Sequence, residues 1–158
     1  MGQYGANVQA TSNTSANTDD VFIELKAPTG VTIKVKRVRV GFGDGTATAG
    51  VDNHFRIKFM RWDTTTAGTG AFTAIKRNAN SSAAAATVKV KQTTTAMALG
   101  TTNVETLDII GPNGRALFEW LARDDDDMIV VKPASLFAVV LSSAVASQKL
   151  MASCDWVE

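Results

Sequence analysis

About ten short β-prone segments, with turn signals between them and no convincing long helix, predict an all-β protein, a jelly-roll-like antiparallel β-sandwich with an extended N-terminal arm. Two of the longer segments shift their apolar parity midway, as strands do where a sandwich turns its corners. At 158 residues the chain has the usual size of one domain and buries roughly 70% of the surface its unfolded form exposes. Composition then divides it into a flexible arm over residues 1–20 and a sandwich domain over 21–158.

The arm is Gln, Asn, Thr, Ser, Ala and Gly, with Val8 its one aliphatic residue larger than Ala after Met1, and it holds no Lys or Arg. It therefore predicts no secretory signal, which needs a positive start and an apolar stretch, and Ala6 stands where a myristoylation site has Ser or Thr. Such a tract offers too little apolar surface to order by itself, and fully extended it reaches about 65 Å. Val21–Lys26 is a short strand ended by Ala27-Pro28-Thr29-Gly30, a type I turn leading into a hairpin with the next run. There Val31, Ile33 and Val35 alternate with polar partners until Val38 and Val40 take the other parity. The slip predicts a β-bulge at Lys36-Arg37 or a strand that changes sheets. The same slip recurs over His54–Trp62, where Phe55, Ile57 and Phe59 give way to Met60 and Trp62.

Phe72–Ile75 and Thr87–Lys91 are short strands separated by an Asn-Ser-Ala loop, with a brief helix over Ser81–Ala86 as the alternative. Val104–Ile110 is a strand ended by Gly111-Pro112-Asn113-Gly114. Arg115–Ala122 fits a helical stripe through Leu117, Trp120 and Leu121 or a strand face through Ala116, Phe118 and Trp120. It is read as a strand because its neighbours are strands. Met128–Val131 is followed by Ser135–Leu141, apolar on both faces and so central. Leu150, Ala152, Cys154 and Trp156 alternate with Met151, Ser153, Asp155 and Val157, which places Cys154 in the core.

Sixteen basic residues against fifteen acidic give a net charge of +1, which excludes a polybasic protein. By segment the charge is −3 over residues 1–25, +9 over 26–91 and −5 over 92–158. Lys34, Lys36, Arg37, Arg39, Arg56, Lys58 and Arg61 could form a basic nucleic-acid face, but no stacking aromatics alternate with them. Ion pairs between basic middle strands and acidic late ones, or subunit contacts of opposite sign, are the favoured reading.

One Cys and one His make neither an internal disulfide nor a structural zinc site, and no apolar run approaches the roughly 20 residues of a membrane helix. Gly41-Phe-Gly-Asp-Gly45 lacks the spacing of a phosphate loop and reads as a strand connection. Asp124, Asp125, Asp126 and Asp127 are weak metal candidates; a solvated acidic loop is the favoured reading, since extended neighbours point in opposite directions. His54 and Cys154 are set apart by their strand parity, so no catalytic dyad is expected, and neither is a cofactor or an enzyme activity.

The polar arm, the all-β body, the Ala/Thr/Gly/Asn-rich loops and a Val-rich penultimate strand before a last strand ending in Trp156-Val157-Glu158 resemble the single jelly-roll capsid decoration (cement) proteins of tailed bacteriophages. The resemblance implies a non-enzymatic virion structural protein, made in the host cytoplasm and commonly trimeric. It would bind the major capsid protein or other virion subunits on the outer head surface, with no direct nucleic-acid or membrane contact. Its contacts are expected from the arm residues Gln3, Tyr4, Asn7 and Val8, from Lys34, Lys36 and Arg37, and from the acidic loop. Alternatives are a jelly-roll coat subunit that builds its own shell, or a receptor- or carbohydrate-binding module of a fibre or tail.

Overall fold

Alternating apolar side chains decide which face each strand turns inward, and among the described residues of the computed structural model twelve strands follow from them. It describes residues 2–11, 19–42, 55–63, 70–91, 99–112, 116–142 and 149–158. The strands are β1 (Gln3–Thr11), β2 (Asp20–Lys26), β3 (Ile33–Phe42), β4 (Arg56–Asp63), β5 (Ala71–Phe72), β6 (Ile75–Lys76), β7 (Thr87–Val90), β8 (Thr102–Ile110), β9 (Phe118–Leu121), β10 (Ile129–Val131), β11 (Ser135–Ser142) and β12 (Lys149–Val157). Pairings are antiparallel and nest about the middle of the chain: β1 with β12, β2 with β11, β3 with β9 and β10, β4 with β8. This is a long hairpin rolled into two sheets, the jelly roll. Sheet A runs β10-β3-β12-β1-β6, with β9 also on β3, and sheet B runs β5-β7-β2-β11-β4-β8.

The main core lies between the sheets. Phe42 and Phe55 stack at 3.9 Å between ring centroids, and Phe59 meets Trp120 edge-on at 6.2 Å and Phe137 at 6.1 Å. Full burial of such side chains contributes about 1.5–3 kcal/mol each. Strand β11 is buried along its whole length because both its faces are covered. Phe137, Val139 and Leu141 join the main core, while the intervening Leu136, Ala138 and Val140 join Val21, Met60 and Trp62 in a smaller cluster. Since alternate side chains point to opposite faces, that cluster lies on the outer side of sheet B, with Leu99 packed on it.

The parity slip in β3 is a β-bulge. Arg37 pairs with Asp155 and Val35 with Trp156, so Lys36 is the extra residue, and Val35 and Val38 both face inward. The slip in β4 has another cause. Its ladder with β11 is unbroken from Arg56 to Asp63, and Met60 and Trp62 are apolar because they build the outer cluster. Bulges fall instead in β8, which breaks register opposite Phe59/Met60 and again opposite Arg61/Asp63, near Asn103 with φ 49°. Among the described residues β8 pairs only with β4, and such kinks blunt an exposed edge against strand addition.

Four further expectations are corrected. Residues Gln3–Thr11 are not a flexible arm but a strand between β12 and β6, so the sandwich domain does not start at residue 21. Main-chain ladder bonds need no large side chains, and Tyr4, Ala6, Val8 and Ala10 all turn toward the core. No hairpin joins β2 to β3, because they lie in different sheets. The connecting turn starts at Pro28, whose carbonyl accepts from Val31 N at 3.3 Å, and Gly30 holds φ 84° at its third position, the type II arrangement. Phe72–Ile75 is not one strand: β5 extends sheet B and β6 extends sheet A, so the chain changes sheets at Thr73-Ala74. Strand β9 turns Phe118 and Trp120 toward the core as expected, and residues 81–86 form no helix.

Polar groups hold strand ends in place. Lys91 and Asp20, both buried, pair at 2.7 Å, with the ammonium 5.7 Å from the centre of the Phe22 ring. Asp63, at the end of β4, accepts from Ser135 Oγ at 2.6 Å and from Asn103 Nδ2 at 2.8 Å. The Ser135 bond first, then that of Asn103, hold its carboxyl below the ordinary carboxylate range. A depressed folded pKa stabilises the fold above the unfolded pKa and ceases to do so as pH falls through the folded one. Asp63→Asn is therefore expected to flatten the fall of Tm below about pH 4, which thermal melts of both proteins across acid pH check. Deleting residues 1–18 is expected to lower Tm sharply and expose the core to hydrophobic dyes, since it strips β12 of one of its two partners and β6 of its neighbour; an unchanged melt would contradict the role given to β1.

Candidate functional site

Strand pairing brings the charged outer side chains of sheet A together in one row. On β3 the bulge turns Arg37 outward beside Asp155 of β12, and Arg39 stands opposite Glu119 of β9. Arg37 Nε donates to Asp155 Oδ2 at 2.7 Å and Arg39 Nε to Glu119 Oε1 at 2.8 Å, with Arg37 Nη1 3.9 Å from the same Glu119 oxygen. Arg77, just beyond β6, reaches across β1 and donates to Asp155 Oδ1 at 2.9 Å. Gly5 makes that reach possible: a Cβ there would collide with the Arg77 guanidinium and the Asp155 carboxylate. On sheet B, Arg61 of β4 likewise pairs with Glu105 of β8 through Nε at 3.0 Å. The ion pairing expected between basic middle and acidic late strands is thus present.

Around this row sheet A exposes large apolar side chains. Leu117 is 69% exposed, Leu121 54%, Met151 43% and Val130 39%. A shallow depression of about 480 Å³ runs between Asn7, Gln9, Arg39, Leu117, Met151 and Ser153. Gly41 lies at its floor, where a Cβ would sit 3.4 Å from Leu117 Cδ1. A second depression, of about 210 Å³, lies where Lys36, Leu121 and Trp156 meet the Arg37–Asp155–Arg77 cluster. Exposed apolar side chains beside an ion-paired row are the kind of surface that protein-binding faces present.

The residues singled out from sequence fall into three groups. Gln3 and Asn7 are exposed on the outer face of β1, and Lys34 and Lys36 are half-buried on β3. Arg37 is held by Asp155. Tyr4 is not a surface contact but a core residue: it is 2% exposed, its ring centroid is 6.0 Å from that of Trp156, and its hydroxyl donates to the Ser82 carbonyl at 3.1 Å. Inward parity in β1 puts it there, and Val8, on the same parity, is half-buried against the core. Sequence reading missed Leu117, Leu121 and Met151. The signal was their position out of phase with the inward residues of their own strands.

The acidic loop closes on itself. Asp124 Oδ1 accepts the main-chain N–H groups of Asp126 at 3.0 Å and Asp127 at 3.1 Å, and Arg123 Nε donates to Asp127 at 2.9 Å. Among the described residues no three His, Cys, Asp or Glu side chains are grouped to hold a metal ion. Cys154 is buried, and burial, with the neighbouring Asp155 charge, pushes its thiol far above the ordinary range. Its reactive thiolate is thus suppressed. His54 and residues 43–45 of the glycine-rich connection lie outside the described residues.

Gly5→Ala is expected to cost on the order of 1–3 kcal/mol by displacing Arg77 from Asp155. In an Arg77→Ala background the penalty shrinks, because one of the two colliding groups is gone; a denaturant-melt double-mutant cycle measures the difference, and strictly additive values would contradict the contact. Searches of protein-family models, curated proteins and solved structures find no match to the chain.

Proposed function

We propose that this chain is a non-enzymatic virion structural protein, a capsid decoration protein that binds the outer head surface of a tailed phage and stabilises the shell through contacts between subunits. The observation that carries the reading is the outer face of sheet A, where Leu117 and Met151 stand exposed on a jelly-roll sandwich. A sheet face whose ion-paired row is bordered by exposed apolar side chains suits docking onto a second rigid surface with little ordering entropy to lose. A shell repeats one site many times, so contacts that are weak singly hold firmly once linked protomers bind together. The exposed amides Asn7 and Gln9 beside the depression can supply hydrogen bonds there.

Electron microscopy of the purified protein, alone and mixed with heads that lack it, tests this reading. Decorated heads are the expected result. Self-closed shells would establish a coat subunit, and glycan binding without head binding would establish a fibre or tail module. Leu117→Glu with Met151→Glu is expected to weaken head binding about tenfold or more while leaving the melting temperature close to wild type, because both side chains lie on the exposed face and outside the core.

A further inference from the structure

We infer that the margin of sheet A formed by β9 and β10 is a self-complementary surface on which a second copy of this chain docks about a two-fold axis. Strands β9 and β10 lie end to end along one side of β3, β9 against Arg37–Val40 and β10 against Ile33–Val35. The segment joining them therefore leaves the sheet beside the bulge, where Ala122 N donates to the Lys36 carbonyl at 2.9 Å. That segment carries Asp124, Asp125, Asp126 and Asp127, all exposed. On the sheet beside it stand Lys34 and Lys36, with Lys132 just past β10. Leu121, 54% exposed, and Val130, 39% exposed, flank the join.

Neither Lys34, Lys36, Asp125 nor Asp126 has a salt-bridge partner among the described residues, although other charges of this face do. The margin is also mixed in sign: Lys34 and Lys36 stand against four aspartates and Arg123, +2 against −3. A partner of one sign would match half of this surface and repel or strand the other half, at a cost in desolvation. A two-fold axis instead sets each acidic loop against the other copy's lysines, twice per dimer, and brings the Leu121 and Val130 patches together. A whole-chain charge of +1 sets up no long-range repulsion between copies.

Dimerisation at this margin is separable from attachment to a head, since it is read on the purified full chain with no head present. Sedimentation equilibrium of the wild type is expected to show a monomer–dimer equilibrium that loosens as salt rises. Lys34→Glu/Lys36→Glu sets acid against acid, and Asp125→Lys/Asp126→Lys sets base against base, so each variant alone is expected to associate about tenfold or more weakly. An equimolar mixture of the two restores a dimer, because each altered half then meets its opposite. Circular dichroism confirms that both variants are folded, and restoration in the mixture shows it independently. Wild-type monomer at high concentration, wild-type trimer, unchanged association of either variant, or a mixture that stays monomeric would each overturn the proposal.

Discussion

The ladder between the first and last strands closes this molecule. Nine residue pairs run in register from Gln3↔Val157 to Thr11↔Lys149, and beyond them Gly2 and Glu158 exchange main-chain hydrogen bonds at 3.2 and 3.1 Å. With β1 in place, Tyr4 covers Trp156, Gly5 leaves room for Arg77, and β6 gains an edge to pair with. The Glu158 carboxylate then accepts from Ala85 N, Ala86 N and Trp156 Nε1, tying the segment before β7 to the same corner. Core, insertion and charged row all rest on this pairing.

Much of the body was legible because burial writes a period into sequence. The slip from Val35 to Val38 announced the Lys36 bulge, and the unbroken apolar run Leu136–Leu141 announced a strand covered on both faces. The identical slip from Phe59 to Met60 meant something else, since parity alone cannot distinguish a bulge from a strand with two apolar faces. Strand β1 escaped because its inward residues after Tyr4 are Ala6, Val8 and Ala10. Small side chains suffice opposite a well-filled β12, and composition reads them as a solvated tail.

The interaction face was less legible. Arg37, Arg39, Asp155 and Glu119 were visible as charges, but their partners were set by register between distant strands, which one sequence does not state. Leu117 and Leu121 were visible as apolar residues and were absorbed into the ambiguity between helix and strand. Only the observation that Phe118 and Trp120 face the core sends both leucines to the outside. Asp124–Asp127 shows the converse: a conspicuous composition whose geometry is partly local, with Asp124 capping its own turn.

The chain between β4 and β8 adds strands to both sheets, β5 and β7 to one and β6 to the other. Its ties are to residues far away in sequence: Tyr4 to Ser82 and Arg77 to Asp155 each span 78 positions. Long loops must close before such contacts repay the entropy of closing them, and nested pairing of first with last strands makes this true of the whole molecule. Such a topology predicts slow folding, and the corner where Arg77 meets Asp155 needs strands from the start, middle and end of the chain to have met. The same corner fastens the insertion to the outer face of sheet A, so the hold on β6 rests on one cluster drawn from three distant parts of the chain.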